Sequence, residues 1–172
     1  MNLVSNGSFE TGDFTGWTKS GNISINNLPV SEGNFSAGFS YRNTANNGML
    51  SQDLQTVIGQ SYSLSFDFGV NGDPFIDQNL QVELIGSNVL LDETLTKQGP
   101  INFDSFSFSF VADAATTRLK FTDRSNATVR IDVQLDNVSV EDIQSTPEPR
   151  TILGLLATLG LGAMLRREKS ES

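Results

Sequence analysis

Few side chains in this chain can do chemistry. Its 172 residues contain no histidine and no cysteine. Without histidine the commonest general base and the commonest transition-metal ligand are gone. A Ser-His-Asp triad and a His-ligated zinc site are therefore impossible. Without cysteine there are no disulfides, thiolate zinc sites or cysteine nucleophiles, although export is still allowed. Carboxylates, hydroxyls, amides and amines remain, and they suit a hard, oxygen-liganded cation such as calcium. Asp73 and Asp77 flank one loop and have the residue types of a glycoside-hydrolase pair. A solvated acidic loop is the simpler reading. Among aromatics that could stack on a sugar ring, Phe75 in Gly72-Asp73-Pro74-Phe75 reads as the best exposed, with Tyr41 and Trp17 as further candidates. Trp17 also reads as a packing residue, and Tyr62, in phase with Leu64 and Phe66, reads as core. One Trp and two Tyr are few for a strong glycan binder.

The elements that must position these groups are strands. Over 61–70, Tyr62, Leu64, Phe66, Phe68 and Val70 alternate with polar or small residues, the period of a half-buried strand. Phe106, Phe108 and Phe110 alternate with serines, and Val82–Leu84, Leu119–Phe121 and 129–135 follow the same rule. Shorter candidates are 3–4, 22–25, 37–41 and 49–54. Turn signals such as Asn6-Gly7, Ile58-Gly59-Gln60 and Gln98-Gly99-Pro100 separate the runs. No stretch before residue 150 has helical periodicity, and 70–79 reads as a long loop. The predicted class is all-β, an antiparallel sandwich, followed by a linker and a short C-terminal hydrophobic helix. The predicted division is a sandwich over 1–143, a linker over 144–150 and a terminal segment over 151–172.

The last strand changes phase. Apolar residues stand at 129, 131, 133 and 135, then at 138 and 140, so a bulge or break is expected at 135–137. In phase with Val138 and Val140, Asp136 would face the core. A buried carboxylate needs a partner, either a cation or a cluster of backbone N–H groups.

Charge is uneven. The net charge is −9, yet residues 150–172 carry four bases and two acids. The acidic remainder repels phosphate backbones, so nucleic acid is not an expected partner.

The N-terminal block, Asn2-Leu3-Val4-Ser5-Asn6-Gly7-Ser8-Phe9-Glu10-Thr11-Gly12 followed by Gly16-Trp17, resembles the opening of galactose-binding-like jelly-roll domains, which include carbohydrate-binding modules. Glu32-Gly33-Asn34-Phe35-Ser36 is similar to the family's second-strand approach. Gln52-Asp53-Leu54 and 59–66 also fit, and Leu135-Asp136-Asn137-Val138-Ser139-Val140 is similar to its closing strand. The resemblance covers about residues 2–143 and implies a jelly roll. It also implies a structural Ca2+ where the chain ends meet, with ligands that by position are Glu10, Glu32 with nearby carbonyls, and Asp136. The alternative is that Glu10 is a surface charge and Asp136 accepts backbone hydrogen bonds.

At the other end, Thr146-Pro147-Glu148-Pro149 disfavours helix. Residues 151–165 then carry no charge, and Arg166-Arg167-Glu168-Lys169 follow. As a helix the apolar run would reach about 22 Å, short of the roughly 30 Å hydrocarbon core. The combination resembles a PEP-CTERM sorting signal, with Pro147, Glu148, Pro149, Arg166 and Arg167 as its marks. This implies an exported protein recognised by an exosortase-type processing enzyme. It would be held in the inner membrane by its C-terminal segment, then placed at the cell surface or in the extracellular matrix. No basic n-region or apolar h-region precedes Asn2, so the chain shows no signal peptide; an upstream start or a trimmed N terminus would reconcile this with export.

The expected function is a non-catalytic surface or matrix protein that binds polysaccharide. The alternatives are a purely structural adhesion component without a glycan ligand and, with less support, a glycan-acting hydrolase.

Overall fold

The computed structural model describes residues 1–39, 48–72, 75–99, 102–126 and 131–143. Ten strands follow in order: β1 Thr18–Ser20, β2 Ile23–Asn26, β3 Ser36–Phe39, β4 Met49–Gln55, β5 Ser61–Gly72, β6 Gln78–Ile85, β7 Val89–Lys97, β8 Asn102–Val111, β9 Thr116–Asp123 and β10 Ile131–Asp142. They form two five-stranded antiparallel sheets, β1-β4-β9-β6-β7 and β2-β3-β10-β5-β8. The all-β jelly roll is thus the observed architecture. The expected C-terminal helix lies outside the described residues.

Alternation explains the packing. The even-numbered apolar residues of β5, from Tyr62 to Val70, are buried and face inward with Val133, Leu135 and Val140 of β10. The opposite sheet supplies Leu50, Leu54, Leu80, Val82, Leu84, Leu119 and Phe121. Phe66 meets Phe121 edge to face across the core, with ring centroids 5.1 Å apart. Burying an aromatic or aliphatic side chain of this kind is worth about 1.5–3 kcal/mol.

Three features differ from the sequence reading. β1 and β7 are additional strands. All of β1 is exposed, and Asp92-Glu93 interrupts alternation in β7; both are edge strands whose pattern no buried face enforces. The expected 70–79 loop is shorter, because β5 runs to Gly72 and β6 starts at Gln78. Leu3-Val4 forms no strand among the described residues; the segment pairs through a bridge of Asn2 with Glu141 and a bond from Leu3 N to Val140 O of 2.8 Å.

The phase change in β10 is a bulge. Asp136 pairs with Asp67 and Ser139 with Ser65, and Asn137 has φ 51°. The slip falls after Asp136. It therefore belongs to the strand's outer face with Asp67, and the expected inward direction in phase with Val138 is corrected.

Candidate functional site

The N-terminal motif builds a corner. The Oδ1 of Asn2 accepts from Val4 N and Val140 N, both at 3.0 Å. Gly7 lies so close to β10 that a Cβ would fall 1.9 Å from the Val138 carbonyl oxygen, so only glycine fits. Asn6 adopts φ 52°, and its side chain bonds Asp13 O, Thr15 O and Thr11 N. Phe9 is fully buried and stacks on Trp17, with centroids 5.8 Å apart. Trp17 is itself buried and donates Nε1–H to Asn6 O at 3.0 Å. Trp17 is therefore a core residue, and its candidacy as a sugar platform is corrected.

Two carboxylates hold the loop between β2 and β3, Glu10 at Asn34 and Phe35 and Asp136 at Ser31 and Glu32. Glu10 Oε1 accepts from Asn34 N at 2.7 Å and Phe35 N at 2.9 Å, and Oε2 accepts from Asn34 Nδ2 at 3.0 Å. These bonds lower the Glu10 pKa, those from Asn34 most. Asp136, fully buried, accepts from Ser31 N at 2.9 Å, Glu32 N at 3.3 Å and Asn137 N at 2.8 Å. Burial raises its pKa against these bonds, and the Asp67 charge adds to the rise. The structure brings Glu10 and Glu32 to one pocket of about 320 Å3, also lined by Ser8, Gly33 and Asn137. Asp136 is not among its lining residues. Among the described residues no group of three carboxylates converges.

The outer face of the β2-β3-β10-β5-β8 sheet holds the second constellation. Ser24, Gly38, Gln134, Gly69 and Phe103 are register partners in one row across all five strands. The two glycines make room for neighbouring side chains to lie over this row. A Cβ at Gly38 would lie 2.0 Å from Asn26 Nδ2, and one at Gly69 would lie 2.8 Å from the Phe103 ring. Gln134 accepts at Oε1 from Asn26 Nδ2 at 3.1 Å and from Ser36 Oγ at 3.3 Å, while its buried Nε2 has no hydrogen-bond partner among the described residues. Beside the row runs a cleft of about 280 Å3 lined by Ser24, Ile25, Asn26, Asn27, Leu28, Asn71 and Asp132. Burial, then the nearby Asp123 charge, pushes the Asp132 pKa up to about 6. Amides and a carboxyl beside apolar Leu28 and Ile25 can hydrogen-bond hydroxyls and cover a sugar-ring face.

Phe75 is 86% exposed, as expected. Asp77 Oδ1 accepts from Gln98 Nε2 at 2.7 Å. Tyr41, Asp73 and residues 146–172, which contain the whole sorting signature, lie outside the described residues. Alternation over 129–135 placed Asp132 and Gln134 off the core, whereas Asn71 fell in the expected 70–79 loop, and no local signal joins them to Asn26 or Phe103.

A jelly-roll sandwich with a polar, amide-lined sheet face is the architecture of a carbohydrate-binding module. The chain belongs to that family: residues 1–122 match the carbohydrate binding domain. Among solved structures it is similar to TmCBM61 in complex with β-1,4-galactotriose, at TM-score 0.69 and 14% identity, covering 83% of this chain and 99% of that one. It is also similar to a family 16 carbohydrate-binding module, at 0.60 and 16%, covering 81% and 99%. The xylan-binding CBM22-1 domain of Paenibacillus barcinonensis Xyn10C matches at 0.57 and 15%, covering 85% and 97%. At these identities the likeness shows the fold alone. No curated protein matches the chain.

Proposed function

We propose that this chain is a non-catalytic, exported surface or matrix protein that binds polysaccharide on the outer face of the β2-β3-β10-β5-β8 sheet. The observation that carries this reading is the Asn26–Asn71–Asp132 cleft beside the register row Ser24–Gly38–Gln134–Gly69–Phe103. Family membership supports the ligand class. A net charge of −9 disfavours polyanions, so neutral or cationic polysaccharides are the expected ligands. Affinity electrophoresis against neutral plant and bacterial polysaccharides tests it. Retardation by at least one of them, weakened about tenfold in Asn71→Ala and in Asn26→Ala, is expected. No retardation by any, including the host's own exopolysaccharide, removes the glycan reading and leaves the structural adhesion alternative. A hydrolase reading has less support, since Asp77 is engaged with Gln98.

Calcium belongs to this proposal as a structural ion. The pocket lined by Ser8, Glu10, Glu32, Gly33 and Asn137 offers carboxylate, hydroxyl and amide oxygens, and among the described residues Glu10 Oε2 has a single hydrogen-bond partner, so a hard cation fits its chemistry. Glu10 and Glu32 would hold it. Asp136 would act behind them, by fixing the Glu32 backbone. A ligand bound only by the folded state raises the melting temperature by mass action. Saturating calcium should therefore raise the melt above that in chelator, and equal melts would remove the ion.

The tail supplies the address. Pro147-Glu148-Pro149, the uncharged 151–165 and the basic Arg166-Arg167 support sorting by an exosortase-type enzyme after a stay in the inner membrane. Among the described residues no helix is long and apolar enough to cross a membrane. Fractionation of the producing cell should move the protein from membrane to surface or medium. Replacement of Pro147-Glu148-Pro149 by alanines should trap it in the membrane, and unchanged release would sink the assignment.

A further inference from the structure

Strand edges offer unpaired N–H and C=O groups, and proteins blunt them with charge, proline, bulges or shortness. Among the described residues, three of the four sheet edges are blunted. β1 and β2 have three and four residues. β7 carries the exposed Asp92 and Glu93 and a register irregularity against β6 between Leu84 and Ile85. β8 has none of these devices. It runs ten residues, Asn102–Val111, and pairs without a slip along β5 from Val70 to Ser61. It contains no proline, lysine, arginine or glutamate. Its single charge, Asp104, is neutralised by an ion pair with Lys97. Among the described residues nothing pairs with its other edge.

The sequence of β8 also suits one particular partner. Ser105-Phe106-Ser107-Phe108-Ser109 reads the same in both directions about Ser107. An antiparallel pair across a two-fold axis at Ser107 sets each residue against its mirror position. Phe106 then meets Phe108 of the second copy, Ser105 meets Ser109, and Ser107 meets itself. On the inner side Phe106 and Phe108 already stack on Phe66, at 5.8 and 6.3 Å, yet both remain only partly buried at the open edge. The serines are exposed on the outer side. Pairing would continue the aromatic ladder inward and the hydroxyl ladder outward, and cross-strand aromatic pairs stabilise sheets. Asp104 would face Phe110 of the second copy, so no like charges meet despite the net charge of −9.

We infer that β8 is a docking edge for a second copy of this chain, giving a two-fold dimer whose two five-stranded sheets join into one through Ser107. The contact is isologous and closes on itself, so it yields dimers rather than fibres. The inference is independent of the glycan reading, although a dimer would present two sugar-binding faces and raise avidity.

The test uses the full chain in a detergent that covers residues 151–165. Sedimentation velocity should show a concentration-dependent monomer–dimer equilibrium. Ser107→Lys should weaken dimerisation at least tenfold, since two ammonium groups would meet on the axis. The chain has no cysteine, so Ser107→Cys gives a near-isosteric probe. Across an antiparallel pair, opposed Cα atoms lie roughly 4.5–5.5 Å apart, within disulfide reach. Mild oxidation should convert Ser107→Cys to a covalent dimer and leave Thr94→Cys, exposed mid-strand on β7, monomeric. A wild type that stays monomeric at all concentrations overturns the inference. So does a Ser107→Lys variant that dimerises like wild type, or equal cross-linking at positions 94 and 107.

Discussion

Asp67 and Asp136 face each other across β5 and β10, and Ser31 ties them together. Its hydroxyl donates to Asp67 Oδ2 at 2.5 Å and its N–H donates to Asp136 Oδ2 at 2.9 Å. Ser105 Oγ donates to the other Asp67 oxygen at 2.5 Å. Two acids on neighbouring strands are thereby buried under one loop, and hydroxyl and backbone donors offset their desolvation. The arrangement makes the β2–β3 loop part of the sheet face it borders.

The pH dependence of stability follows from these groups. Burial raises the folded-state pKa of Asp136, and that of Asp132 to about 6 against an ordinary 3.8. A raised carboxyl pKa means that the folded state binds the proton more tightly. Stability from Asp132 is full below about pH 4 and is lost as pH rises through about 6, and the raised Asp136 acts with the same sign. The melting temperature should therefore rise from pH 7.5 to pH 5. Asp132→Asn should remove a share on the order of 1–2 kcal/mol after allowance for solvent screening. A variant whose melt rises as steeply as wild type over this range contradicts the assignment.

The opposite sign holds for Glu10, Asp13, Asp53 and Asp113, whose pKa values are lowered by hydrogen bonds. Their contribution is present above the unfolded carboxylate range and fades as pH falls below about 4. The two groups of acids together set a stability maximum between about pH 4 and 5. Melting curves collected from pH 3 to pH 8 locate it, and a maximum above pH 6.5 would show that the buried acids are not raised.

Gly7→Ala should be among the most damaging single-methyl changes in the chain. The new Cβ would lie 1.9 Å from Val138 O, and Gly7 O is bonded to Val138 N at 2.9 Å, so neither backbone can yield without breaking the corner. A loss of about 3 kcal/mol or more is expected, read by urea denaturation. Gly59→Ala, at a positive φ but with open space around it, should cost less.

Trp17 provides a spectroscopic control. As the single tryptophan, buried against Phe9, it should emit at short wavelength, and saturating glycan should leave that emission unmoved. Trp17→Ala should cost about 3–5 kcal/mol while any folded fraction keeps its glycan affinity. A glycan-induced spectral shift with quenching would return Trp17 to the binding site.

Glu10→Gln tests the loop clamp. The amides of Asn34 and Phe35 should exchange faster in the variant, because a neutral amide oxygen accepts more weakly than a carboxylate. Ser31 and Glu32, held by Asp136, should change less. Uniform acceleration over 31–35 would mean that the loop opens as one unit.

Much of this architecture could be read in the sequence because period-two alternation is a local code. The run from Tyr62 to Val70 and the Phe-Ser repeat of β8 report which side of a strand is wet, and the phase change at 135–138 reports a bulge but not on which side of Asp136 it falls. The absence of histidine and cysteine excluded whole chemistries with no fold needed. Asn2, Gly7, Phe9, Glu10 and Trp17 marked a family corner by spacing alone. Strand register, however, joins residues far apart in the chain, and no local pattern carries it. Only the tertiary structure placed the bulge after Asp136, and so turned that carboxyl away from the core toward Asp67 and Ser31. Only the structure set Gly38 and Gly69 on either side of Gln134 and left Phe103 at the end of their row. The residues that could do chemistry were visible from the start; which of them share a surface was decided by the pairing of five strands.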